Sequence, residues 1–341
     1  MSAAIIGAGM ATPVGLSAPA ACAAIRCRLS GFEETRFIDK AGEWLIGAET
    51  PLAEPWRGEE KLARMALSAL KECLALAPAG APPPALFLCV SERERPGRPA
   101  DLGARLFFRL QRDLGLRFDK ASAVVEGGRA GGVLGLQAAQ AFFVGRPKAH
   151  AILLGTDSLL SAPVLAALDA DDRLLSGDNS NGFIPGEAAA AVLMAGGGAP
   201  GALEVAGVGL AREQATISSG EPLRADGLRA AIFSALGEAG IAMHDVHWRM
   251  TDISGEQYYF KEAALALSRT LKQVVEEMDI EHPAECVGET GAAALPLMLG
   301  ATLAAQRKGY AKGPSVLAHL SADDGARAAI ILQYRGKSDG Q

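Results

Sequence analysis

Glycines and one acidic residue at two predicted helix starts are the first candidates for chemistry. Gly127, Gly128, Gly131 and Gly132 lie between a short apolar strand and an apolar helix. They serve close backbone packing or a positive φ, or they form a nest of N–H groups that binds an anion. Glu289 precedes a predicted helix at residues 292–308, where the helix dipole favours an anion. It is either a helix-capping acid or, in altered chemistry, a general base.

Other polar groups indicate neither a metal ion nor a cofactor. Aspartates in one loop could hold a divalent ion but fit a solvated loop better: Asp169, Asp171, Asp172 and Asp178. His244 and His247 have no third candidate ligand at a suitable spacing. The five cysteines are odd in number and form no Cys-x-x-Cys pair, which indicates reduced thiols in the cytoplasm. We therefore predict no metal and no cofactor.

A basic stripe is the candidate partner-binding surface. Arg105, Arg109 and Arg112 recur on one face of a predicted helix at residues 100–114, with leucines on the other face. The stripe could attract an acidic protein, or it could be an ordinary solvated helix face.

Charge and hydropathy exclude several classes of function. The chain has 341 residues, with 33 Lys and Arg against 39 Asp and Glu, a net charge of −6. Without a basic block it is a poor nucleic-acid or membrane-surface binder. The uncharged run at residues 188–203 is too short to span a bilayer. The opening residues carry no positive charge before Arg26, so we expect a strand there rather than an export signal, and a soluble cytoplasmic protein.

Short apolar strands alternate with amphipathic helices along the chain, which predicts a layered α/β fold. Helices are predicted at 61–76, 226–239 and 257–278, and a polar surface loop at 91–99. The order of elements looks similar in residues 1–198 and 199–341. The sequence therefore predicts two related halves in one structural unit.

Three segments, in order, resemble the β-ketoacyl-(acyl-carrier-protein) synthase family of thiolase-like proteins. Residues 5–15 read IIGAGMATPVG, like the first strand and turn of that family. Residues 181–189 read NGFIPGEAA, like its DGF-x-x-GEGA hairpin, and residues 288–294 read GETGAAA, like its GHT-x-GAAG turn. The resemblance implies a five-layered α-β-α-β-α sandwich, and a homodimer formed across the strand near residues 123–126.

The same resemblance implies that the catalytic residues are lost. Condensing members use a cysteine nucleophile and two histidines. The cysteine position falls on Gly128, or on Gly127 if the gap is placed differently, and the second histidine position is Glu289. The first histidine position falls on Thr251 or Asp252, and the family's lysine on Ala284. Phe183, Gly186 and Arg129 match the substrate pocket.

A glycine forms no acyl intermediate, and an ionised glutamate only accepts hydrogen bonds. We therefore expect a catalytically degenerate protein of fatty-acid or polyketide type that acts by binding an acyl chain, a carrier protein or a partner subunit. One alternative is a structural or accessory factor of a larger assembly, such as a secretion system. The other is an acyltransferase of the 3-oxoacyl-(acyl-carrier-protein) synthase type that uses Glu289 and Asp252.

Overall fold

The computed structural model describes residues 3–198 and 200–336. The predicted boundary between the halves falls at residue 199, which lies outside the described residues. The first half contains β1 (Ala3–Ala11), α1 (Ala18–Arg26), β2 (Phe32–Ile38), β3 (Trp44–Ala48), α2 (Gly58–Ala75), β4 (Ala85–Cys89), α3 (Leu102–Leu114), β5 (Ala123–Val125), α4 (Gly128–Phe143), β6 (His150–Ser158), α5 (Ala162–Ala170) and β7 (Glu187–Gly196). The second half contains β8 (Leu203–Arg212), α6 (Asp226–Ala239), β9 (Trp248–Thr251), α7 (Gln257–Thr270), β10 (Ile280–Glu281), α8 (Ala284–Val287), α9 (Ala294–Arg307), β11 (Ser315–Ser321) and β12 (Ala326–Tyr334).

The strand order confirms the predicted duplication. The large sheet runs β5-β4-β6-β7-β1-β8-β12-β11-β9-β10, so five strands come from each half. Numbered along the chain within its own half, each set has the order 3-2-4-5-1. The strand directions also correspond, because strands 2-3 and 2-4 are parallel and strands 4-5 and 5-1 are antiparallel in both sets. Among the described residues, two residue pairs join the two sets: Ala4 with Glu204 and Ile5 with Leu203.

The helices pack in three layers around these two sets of strands. Helices α4 and α9 contact each other and strands of both halves, so they form the central layer. Helices α2 and α3 cover the outer face of the first half, and α6 and α7 that of the second. The arrangement is the predicted α-β-α-β-α sandwich.

Strand side chains alternate between the two helical layers. On β4, Phe87 faces the central core, whereas Leu86 and Leu88 face α2 and α3. All three are almost completely buried. Complete burial of one such side chain contributes about 1.5–3 kcal/mol, so these alternating faces fix which layer each strand contacts.

Several predicted elements differ from the structure. Helix α7 ends at Thr270 rather than 278, and Val274 beyond it is completely exposed. A continued helix would place Glu276 and Glu277 at its negative dipole end, which disfavours it. The predicted helix at 292–308 corresponds to α9, which begins two residues later, because a 3₁₀ turn at Gly291–Ala293 precedes it. Among the described residues, no helix has both the length and the apolar composition to cross a bilayer.

Candidate functional site

Gly128 is the first residue of α4, at the turn that follows β5. Its φ is +52°, a left-handed conformation that favours glycine, and its N–H donates to the carbonyl of Val90 over 3.1 Å. A Cβ at this position would overlap the Oε2 atom of Glu92. The positive φ therefore favours glycine at this turn, and any side chain here would also require the Glu92 carboxylate to move.

Glu92 belongs to a chain of ion pairs that sequence reasoning missed. Its two carboxylate oxygens accept from Nε and Nη2 of Arg95, each over 2.8 Å. Arg95 Nη1 donates to Oδ1 of Asp157 over 3.1 Å, and Asp157 Oδ2 accepts from the Ala292 N–H over 2.9 Å. Burial raises the pKa of Glu92, but Arg95 lowers it more. Burial raises the pKa of Asp157 despite Arg95.

The predicted surface loop at 91–99 is thus wrong for part of its length. The Arg95 side chain is only 11% exposed and that of Arg98 only 2%. A useful sign in the sequence is the i, i+3 spacing of Glu92 and Arg95. No local sequence pattern predicts the contact of Arg95 with Asp157, which lies 62 residues further along the chain.

Arg129, Asp252 and Glu289 form a second buried cluster next to the Gly128 turn. Arg129 Nη2 lies 2.6 Å from Glu289 Oε2 as an ion pair whose angles fall outside those of a hydrogen bond. Arg129 Nε lies 3.8 Å from Asp252 Oδ2, and Nη1 donates to the Ser321 carbonyl over 3.1 Å. All three charged side chains are less than 10% exposed. The structure therefore brings these three charged residues, each a candidate site residue in the sequence, into one cluster.

Burial controls the electrostatics of this cluster. It raises the pKa of Asp252 to about 7; Arg129 opposes that shift and the Glu289 charge adds to it. Burial lowers the pKa of Arg129, but the nearby carboxylates, Glu289 first, raise it more. The guanidinium also lies 5.2 Å from the ring centroid of Tyr259. Arg129 therefore stays charged and neutralises acids that burial would otherwise leave unpaired.

Backbone pairing joins the two glycine-rich motifs at Glu289. The Glu289 N–H donates to Ile184 O over 2.8 Å, and the Gly186 N–H donates to Glu289 O over 2.9 Å. A Cβ at Gly186 would overlap the carbonyl oxygen of Val287, so the close approach requires glycine. Glu289 Oε1 accepts from the Gly291 N–H over 2.8 Å, which is the capping role considered for it.

Asp252 directly follows β9, and its side chain is held by a backbone N–H of β11. Its Oδ2 accepts from the Ser321 N–H over 3.1 Å, so β11 positions it. Phe183, matched to the substrate pocket, is buried with Leu45, Leu159 and Leu165 in a separate apolar cluster. The centroid of its ring lies 5.7 Å from the guanidinium of Arg173, which binds Glu256 and Asp323.

Little room remains beside the acidic residues. The cavity lined by Thr251, Asp252 and Glu289 measures about 10 Å³, space for about one water molecule. Cys89, packed against α4, is completely buried, and burial raises the pKa of its thiol to about 12. A neutral buried thiol is a poor nucleophile. The cluster can hold a proton and neutralise charge, and no cysteine lines the small cavity beside it in the described part of the chain.

The arginine stripe on α3 is paired with local acids. Arg105 lies 2.7 Å from Glu59, Arg109 lies 2.6 Å from Glu60, and Arg112 lies 2.8 Å from Asp113. Arg112 is 72% exposed, whereas Arg109 is 19% exposed. The predicted acidic loop is wrong at Asp169, which lies in α5 and accepts from the Lys40 N–H, whereas Asp172 pairs with Lys40 Nζ. No group of three or more His, Cys, Asp or Glu side chains in residues 3–198 and 200–336 is arranged to hold a metal ion.

Comparisons with known proteins agree on the fold. No family model and no curated protein matches the sequence. The ishigamide ketosynthase/chain length factor has a TM-score of 0.78 at 17% identity, covering 98% of this chain and 99% of that one. A ketosynthase in complex with its chain length factor from Xenorhabdus doucetiae has a TM-score of 0.74 at 14% identity, covering 98% of each. The module 6 ketosynthase of the bacillaene synthase from Bacillus subtilis has a TM-score of 0.75 at 12% identity, covering 98% of this chain and 72% of that one. The chain therefore has the thiolase-like fold of the ketosynthases and chain length factors.

Proposed function

We propose that this protein is a catalytically degenerate ketosynthase-like subunit that acts in the cytoplasm by binding a partner protein, not by condensation. One observation carries the proposal: the nucleophile position is Gly128, and the space beside it holds the Glu92 carboxylate. No covalent acyl intermediate can form on a hydrogen atom. Removal of a single oxyanion donor costs about 3–4 kcal/mol in barrier height. Here the two histidine positions fall on Glu289 and on Thr251 or Asp252, so neither holds a histidine.

The ion pairs favour a protein partner over an acyl chain in the old cleft. An acyl chain would have to displace Arg129 from Glu289 and Asp252, which leaves two buried acids unpaired. Breaking such a buried pair costs about 3–5 kcal/mol, which cancels the gain from burying about four to six methylene groups at about 0.8 kcal/mol each. The paired cluster therefore supports a function carried by a surface.

The edge of β5 is the surface that we propose for this partner. Strand β5 ends the large sheet and pairs only with β4 among the described residues. An unpaired edge is a template for a strand of another chain. The solved ketosynthases with this fold include one in complex with its chain length factor, which supports a paired subunit. A second copy of this chain or a ketosynthase subunit would pair there, as would a component of a larger assembly.

One observation supports the alternative of altered enzyme chemistry. The pKa of Asp252 is raised to about 7 by burial, the range in which a general acid or base works best. However, its Oδ2 is already bonded to the Ser321 N–H and lies beside Arg129. A substrate proton would need both contacts to open.

Turnover of a malonyl thioester tests the proposal. The protein is incubated with malonyl-loaded carrier protein, and acetyl and condensed products are measured by mass spectrometry. We expect product formation equal to that of a sample without the protein. Turnover that disappears in Glu289→Ala, while the variant keeps its fold by circular dichroism, would establish an enzyme and refute the binding function.

A further inference from the structure

A cavity of about 340 Å³ lies away from the charged cluster, between α1, β9 and α9. Its floor is made by the buried side chains of Cys22, Trp248, Met250, Ala301 and Ala305. The volume equals that of about eleven water molecules at their share of the liquid. This falls in the range of small-molecule sites, which are concave and mostly apolar.

Small and fixed side chains keep this cavity open. Ala301 and Ala305 are four residues apart on α9, so their methyl groups lie on the same face. A leucine at either position would fill the cavity, whereas the two alanines leave a recess next to Trp248. The indole is held in place because its Nε1–H donates to Gly313 O over 3.1 Å. The recess is therefore formed before any ligand arrives.

The rim carries one cation without an acidic partner. Lys312 pairs with Asp279 and, over 3.5 Å, with Glu281. Arg28 lies 3.9 Å from Glu285. In the part of the chain that the structure describes, no carboxylate lies within ion-pair distance of Arg26. Its guanidinium instead stacks 4.4 Å from the ring centroid of Tyr310, at the cavity wall.

We infer that this cavity binds a small amphipathic carboxylate, with an apolar body of about eight carbons over Trp248 and Met250 and its anionic head at Arg26. A guanidinium that is stacked on an aromatic ring keeps its N–H groups free to donate to a carboxylate. The apolar floor takes the hydrocarbon, and Ala301 and Ala305 admit it.

This site is separate from the degenerate cleft, and the inference does not depend on the proposed function. Pro283 lies between the two, because it lines both this cavity and the small one beside Asp252 and Glu289. A ligand in the larger cavity does not need to displace Arg129. A failure to bind it would leave the partner-binding function untouched.

Titration with octanoate tests the inference. Octanoate has about ten non-hydrogen atoms, and we expect a Kd of about 1 mM or tighter from the usual affinity per atom. Calorimetry gives the Kd, and tryptophan emission, which includes buried Trp248, reports contact with the floor. Octylammonium, with the same tail and the opposite charge, should bind at least about tenfold more weakly, the factor of one charge-assisted hydrogen bond.

Three variants locate the binding. Ala301→Leu fills the recess and Arg26→Gln removes the cation, and each should weaken octanoate binding about tenfold. Arg229→Gln is the matched control, because Arg229 also stacks on an aromatic ring, 4.7 Å from the Phe233 centroid, but does not line the cavity. If Ala301→Leu does not fold, Arg26→Gln at an exposed position decides the matter. Absence of binding at 10 mM (about tenfold above the expected Kd), equal binding of octylammonium, or binding unchanged by the cavity variants would overturn the inference.

Discussion

The fit of Glu92 against Gly128 predicts an energetic coupling between these two positions. In Gly128→Ala the backbone must hold a φ of +52° with a side chain, which costs about 1–2 kcal/mol. The new methyl group also displaces the Glu92 carboxylate from its two 2.8 Å bonds to Arg95. Because the Glu92 side chain is 42% exposed and can move, loss of these bonds adds only about 0.5–1 kcal/mol. We expect a total loss of about 2–3 kcal/mol in the free energy of unfolding.

A double-mutant cycle separates these two causes. In a Glu92→Ala background the collision is gone, so Gly128→Ala should cost only the backbone strain of about 1–2 kcal/mol. Gly58→Ala is the matched control, because Gly58 is also the first residue of a helix with a φ of +55°, and a Cβ there would meet no atom within 4 Å. Urea unfolding of the four forms gives the coupling energy, which we expect to be about 1 kcal/mol. Additive effects, within about 0.5 kcal/mol, would refute the claim that Glu92 occupies the nucleophile space.

The other predictions concern the buried acids and the sheet edge. Because Asp252 holds a proton up to about pH 7 in the folded state but loses it near its ordinary pKa when unfolded, its contribution to stability falls as pH rises between these values. Asp252→Asn should therefore show a flatter fall in the free energy of unfolding from pH 5 to pH 8, a range bracketing the pKa of about 7; an unchanged slope would contradict the burial effect. Arg129→Met should lose about 3–5 kcal/mol at high pH, and less near pH 5, where Asp252 is protonated. An equal loss at both pH values would be inconsistent with unpaired acids. Light scattering should give twice the 35.2 kDa chain mass, and Ala123→Glu on the β5 edge should give a monomer; a dimer that survives this change would place the interface elsewhere.

The fold could be predicted where apolar periodicity was strong. Leu228, Ile232 and Leu236 predicted a helix ending before Gly240, and α6 is Asp226–Ala239. The β2–β3 hairpin was missed because half of its residues are exposed and its two strands show no regular apolar alternation. Helix α5 has only Val164 and Leu165 buried, so its sequence gives little sign of a helix before the predicted acidic loop.

The site could be predicted only in part, for a related reason. Motif order, which depends on local sequence, predicted the catalytic positions at Gly128 or Gly127, at Thr251 or Asp252, and at Glu289. That Arg129 would neutralise both acids, and that Glu92 would occupy the place of a nucleophile, depends on contacts between distant strands and loops. The charges of the 91–99 segment suggested solvent, because an ion pair with Asp157 is invisible in the local pattern.

The central claim is that no nucleophile is available beside the Gly128 turn. Its most direct test is the intact mass of the folded protein after incubation with an isotopically labelled acyl thioester. We predict that the mass of the native protein, which has both Gly128 and Glu92, is unchanged. A covalent acyl adduct that maps to a residue lining the cleft would contradict the claim.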